Sequence, residues 1–69
     1  MANFAERLQQ ARKEKGVTQK QISDEFGITT RAYGFWEHGG REPTIDTLKK
    51  LADYFDVTLD WLTGRSDVR

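Results

Sequence analysis

Apolar residues recur three and four positions apart along most of the chain, and the runs break at Gly16, Gly27, Gly39-Gly40 and Gly64. This spacing belongs to amphipathic helices, and no segment shows the strict alternation of a strand. Start signals divide the pattern into five helices. Asn3 caps the first, with Glu6 in position to complete a capping box, and Phe4, Leu8 and Ala11 form its apolar stripe. Thr18 caps the second, closed by Gln21 and stapled by Val17 and Ile22, and Gly27 supplies the left-handed stop. Thr29 caps the third, stapled by Ile28 and Tyr33, and this helix runs to about His38. The fourth begins at Thr44, after Pro43, and carries Ile45, Leu48, Leu51, Ala52 and Phe55. The fifth begins at Thr58, is stapled by Val57 and Leu62, and ends before Gly64. The tail, residues 65–69, has no pattern and is expected to fray.

Length and composition narrow the picture. Sixty-nine residues allow one domain, read here as 1–69. A chain this short buries only about 60% of its unfolded surface. Four Phe, two Tyr and two Trp partly compensate for the small core. Without Cys, neither disulfides nor thiolate metal sites are available, and packed helices must hold the fold. No run approaches the roughly 20 apolar residues of a membrane span. The start, Met1-Ala2-Asn3-Phe4, has no basic segment followed by an apolar one, so a cytoplasmic location is expected. Net charge is zero but unevenly placed. Residues 1–41 carry seven Lys/Arg against five acids, and residues 42–69 carry four against six. The N-terminal part is the more suited to face an anion.

Between the second and third helices stand only Gly27-Ile28-Thr29, a turn short enough to force a steep angle, as in a helix-turn-helix over about 18–38. The run Thr18-Gln19-Lys20-Gln21-Ile22-Ser23-Asp24-Glu25-Phe26-Gly27-Ile28-Thr29 is followed by Tyr33, Trp36-Glu37, Gly39, Arg41, Pro43 and Leu48. Together with the ending Phe55-Asp56-Val57-Thr58-Leu59-Asp60-Trp61-Leu62-Thr63-Gly64, it resembles the Cro/phage-repressor (Xre-type) family across residues 4–64. The resemblance implies an all-α, five-helix, lambda-repressor-like domain. It also implies a sequence-specific, double-stranded-DNA-binding transcriptional regulator of the phage- or prophage-repressor type.

The residues of the third helix (about 29–38) fit that role. Ala32, Tyr33 and Trp36 are expected to pack on the first two helices, leaving Thr30, Arg31, Gly34, Phe35 and His38 on a face able to enter a major groove. Arg31 suits the O6 and N7 acceptors of guanine, and Thr30 can exchange hydrogen bonds with base edges. The Phe35 ring can meet thymine methyls, or else serve the core or a protein contact. By resemblance, Thr30, Arg31 and Phe35 stand where relatives contact bases. Gly34 either allows close approach of the backbone to DNA or only weakens the helix, by about 1 kcal/mol. Phosphate contacts are expected from Gln19, Lys20, Thr29, His38 and Arg41, which set register without reading sequence. The resemblance also implies an ion pair between Arg12 and Glu37 that orients the third helix. Ser23, where relatives often have Ala, is expected to be inconsequential.

An enzyme finds nothing to build on: no Gly-rich phosphate loop, no nucleophile–base pattern and too little volume for a deep pocket. No cofactor, small-molecule substrate or membrane partner is expected. His38 is the only histidine and has no partner for a metal. The expected partner is a double-stranded operator bound by a homodimer, joined through the region of the fifth helix, Val57 to Leu62. The sequence leaves open whether Trp61 there belongs to the core or the interface. An alternative keeps the fold as a protein-interaction module, an antitoxin or adaptor. Another makes the chain the N-terminal domain of a longer repressor.

Overall fold

A computed structural model describes residues 3–69, so Met1 and Ala2, used in reading the N-terminus, lie outside it. Among the described residues there are five helices and no strands: α1 (Phe4–Lys15), α2 (Gln19–Glu25), α3 (Thr30–His38), α4 (Ile45–Phe55) and α5 (Leu59–Thr63). No helix there is long and apolar enough to cross a membrane.

Each helix begins on a side chain that satisfies an otherwise orphaned N–H. Asn3, Thr18, Thr29, Thr44 and Thr58 accept from the backbone three residues on. The full capping box forms at Thr18 and Gln21, whose Oε1 accepts from Thr18 N–H at 2.8 Å. At the first helix the observed bond is the single one, from Glu6 N–H to Asn3 Oδ1 at 3.0 Å.

The turn between α2 and α3 is a Schellman stop. Ile28 N–H donates to Ser23 C=O at 3.0 Å and Gly27 N–H to Asp24 C=O at 3.2 Å, with Gly27 left-handed at φ 68°. A Cβ at Gly27 would meet nothing within 4 Å, so its backbone angle, not crowding, calls for glycine.

The core is centred on α1, which packs on α3, α4 and α5. Leu8, Ile22, Tyr33, Leu51 and Leu62 are fully buried. Trp61 keeps only 2% of its surface, which places it in the core. Trp36 is half-buried and meets Tyr33 edge-on, with ring centroids 5.8 Å apart.

The tail, where fraying is expected, carries contacts of its own. After Gly64 turns left-handed at φ 86°, Arg65 N–H returns to Asp60 C=O at 2.8 Å and residues 66–69 fold back along α5 and α1. Thr58 Oγ1 donates to Val68 C=O at 3.1 Å, Asp67 accepts from Arg7 Nη2 at 2.7 Å, and Arg69 pairs with Glu14. Arg7, itself buried, and Arg69 set their guanidiniums 4.6 and 4.3 Å from the Trp61 ring. The Arg7 and Asp67 partners stand 60 residues apart in sequence, so no local pattern announced their pairing.

Deleting residues 65–69 should therefore uncover Trp61. The expected result is a red-shifted tryptophan emission and a lower melting temperature, with the spectral shift absent in a Trp61→Phe background.

Candidate functional site

The positions flagged in the sequence lie on and beside α3. Tyr33 and Glu37, one turn apart, are its buried residues, while Ala32 and Trp36 are half-buried at the edges of that inward face. Thr30, Arg31 and His38 are exposed, and Gly34 and Phe35 half-buried. With Gln19 of α2, these five line one shallow, open depression. Arg41 stands just past the C-terminal end of α3, exposed, with its guanidinium 5.4 Å from the Phe35 ring. Arg31 approaches the same ring to 5.9 Å. Lys20 and Thr29 are exposed outside this depression. Lys20 is engaged by Asp24 at 2.9 Å, and Thr29 Oγ1 accepts from Ala32 N–H.

Behind this surface sits the charged network that holds α3. Arg12 Nε donates to Glu37 Oε2 at 2.6 Å and its Nη2 reaches Oε1 at 3.4 Å. The third nitrogen, Nη1, donates to Val17 C=O at 3.1 Å, so one guanidinium ties α1 to α3 and to the loop before α2. The Glu37 side chain retains 1% exposure. Its burial works against the charge, but the hydrogen bonds from Arg12 and Gln19 outweigh burial and hold its pKa below the ordinary carboxylate value. Burial, reinforced by the adjacent carboxylate, pushes the Tyr33 hydroxyl in the opposite direction, well above the ordinary phenol.

Gln19 differs from its expected placement. The amide does not simply point outward: it is half-buried, and Nε2 donates to Glu37 Oε1 at 3.1 Å. One of its two N–H groups is therefore spent on the network, and only the other is free for a phosphate oxygen.

Ser23 also departs from expectation. Fully buried, it donates to Lys20 C=O at 3.0 Å and stands 3.2 Å from Thr30 Oγ1. With the single Ser23 hydrogen so engaged, the Thr30 hydroxyl donates to Ser23 and turns its lone pairs outward. Ser23 is thus the positioning residue that the sequence reading missed. Only its substitution for a more usual Ala hinted at it.

Residues 8–62 match the helix-turn-helix family. The HTH-type transcriptional regulator YqaE of Bacillus subtilis is 44% identical over 59 residues, covering 86% of this chain and 51% of that protein. The cryptic phage CTXphi transcriptional repressor RstR of Vibrio cholerae is 42% identical over 60 residues, covering 87% and 54%. The chain thus spans about half the length of these curated relatives. The crystal structure of the P22 c2 repressor in complex with a synthetic operator superposes with a TM-score of 0.85. That match covers 96% of this chain and all of the other at 23% identity, a likeness of fold.

Replacing Glu37 by Ala leaves Arg12 buried without its partner and should cost about 3–5 kcal/mol of stability, read from chemical denaturation. Because folding lowers the Glu37 pKa, its contribution is present above the unfolded value of about 4.3 and fades as pH falls through the folded one. Acid titration of stability should therefore be steeper in the native chain than in Glu37→Gln.

Proposed function

This chain belongs to the helix-turn-helix family, and from that premise we propose that residues 1–69 act as one DNA-binding domain of a transcriptional repressor of the phage type. Its role is binding rather than catalysis, in the cytoplasm, with a double-stranded operator as partner. The observation that carries the reading is the outward face of α3, where Thr30, Arg31, Gly34 and Phe35 are held clear of the core by the Arg12–Glu37 pair behind them.

A helix presented in this way fits the major groove with its first turn nearest the base edges. Arg31 reads guanine, and Thr30 offers an acceptor and a methyl group. Phosphates are met on both sides of the groove. The free N–H of Gln19, with Lys20 and Thr29, serves one side, and His38 and Arg41 the other. The P22 c2 repressor, which shares the fold, is in complex with a synthetic operator, which supports double-stranded DNA as the partner.

Two copies would occupy half-sites about 34–36 Å apart. Trp61 and Leu62 are committed to the protomer core, so a contact through the α5 region would use the half-buried Val57 and Leu59. Repression follows when the occupied operator overlaps a promoter.

Band-shift titrations against a selected site and its single-base variants test the mode. Arg31→Ala should reduce discrimination at one base pair by about 1–3 kcal/mol, whereas Arg41→Ala should weaken all sites alike and reduce the salt slope by about one. Affinity that is insensitive to salt and unchanged in both variants would falsify the groove assignment.

A further inference from the structure

The depression on α3 has an unusual composition for a polar readout surface. Its floor is Gly34, where an added Cβ would meet nothing within 4 Å. One wall is the half-buried Phe35 ring, seated against the loop after α3: a Cβ at Gly40 would come within 3.3 Å of Phe35 Cδ1. The rim carries Arg31, whose guanidinium lies 5.9 Å from that ring, and Arg41 contacts the same ring from the loop at 5.4 Å. An apolar recess framed by cations on an exposed helix suits an apolar group carried by a polyanion.

On the major-groove edges of DNA the one apolar substituent is the C5-methyl of a pyrimidine. The geometry points to a composite reader that rests on the DNA-binding reading above. Phe35 and Gly34 would receive the 5-methyl of a pyrimidine, and Arg31 would pair with a guanine stacked beside it.

The spacing supports the pairing. Residues 31 and 35 are four apart on one helix, about 5–6 Å between Cβ atoms, while neighbouring bases on one strand rise about 3.4 Å. One helical turn therefore covers between one and two base steps, a reach that includes adjacent bases. The planar guanidinium of Arg31, 5.9 Å from the Phe35 ring, presents a pre-organised fork that loses less freedom when it forms both bonds to guanine. The unit read is a 5-methylpyrimidine–guanine step. Thymine and 5-methylcytosine present the same methyl group.

The full chain is used to select sites from a random duplex pool, and the enriched duplex is then altered one atom group at a time. Uracil replaces the thymine beside guanine, and separate duplexes carry cytosine or 5-methylcytosine there. Methyl-bearing duplexes should bind about fourfold more tightly than their methyl-free counterparts, the worth of one buried methyl. A gain with thymine alone assigns the recess to thymine, and a gain with both assigns it to the methyl irrespective of base.

Phe35→Ala should erase this ratio. Gly34→Ala should erase it too, by filling the floor, and that variant keeps its fold because Ala favours the helix and has open space there. Selected sites without such a step, equal binding of uracil and thymine duplexes, or a ratio that survives both substitutions overturns the inference while leaving DNA binding intact. Failure of any duplex to enrich overturns both.

Discussion

The Arg12–Glu37 pair determines which way α3 faces. Three helices meet around one carboxylate: Arg12 from α1, Gln19 from α2 and Glu37 itself from α3. A buried ion pair is weak evidence for stability, since apolar residues of similar size often do as well. Its consequence here is directional. An apolar contact tolerates rotation of α3 about its axis, whereas hydrogen bonds to both carboxylate oxygens allow one setting of Glu37. The residues on the opposite side of α3 are then set outward by default. Arg12 also holds Val17 C=O, so the same guanidinium fixes the loop from which α2 departs. Orientation of α2 and α3 therefore shares a single charged hub.

A second constraint acts at the other end of the pair of helices. The Schellman bonds from Gly27 and Ile28 stop α2, and Thr29 starts α3 almost at once, so the angle between them is set locally. Ser23 and Thr30 add a hydroxyl contact across that angle. Since Thr30 is also in the first turn of the exposed helix, its hydrogen-bonding character at the surface is decided by a buried serine. Gln19 has the same double allegiance, with one N–H to Glu37 and one outward. The candidate interface is thus not a coat of side chains on a neutral scaffold. Two of its polar members are already committed inward, and what they can offer a ligand is what remains.

This division explains how much could be read from the sequence. Helix starts, and the stops made by glycine, were legible because caps, staples and left-handed glycines are written within five residues of one another: Thr18 with Gln21, Ile28 with Tyr33, Gly27 alone. The stop of α4 at the left-handed Asp56 was not. The outward set on α3 followed from helical periodicity, and the Arg12–Glu37 pair from resemblance to a family. Ser23 was not legible, because a serine where alanine is common gives no sign of its partner. The Arg7–Asp67 contact, 60 residues apart in sequence, was equally hidden, and with it the order of the tail. Arg7 entered only the charge count, yet its side chain is buried against Trp61. Local chemistry announces elements. Pairings between distant polar groups appear only once the helices have been placed.

Gly34 shows how the two levels collide. A mid-helix glycine gives up about 1 kcal/mol relative to alanine, and nothing inside the protomer needs the space, since a Cβ there would touch nothing. Internal packing therefore cannot account for it. Tyr33 and Glu37 anchor α3 on either side of this position, so the helix persists despite the weak residue. The local loss of helix propensity and the open floor are the same feature: a flat backbone facing outward between Arg31 and Phe35. A site that departs from good helix design where the core demands nothing is most economically explained by something approaching from outside.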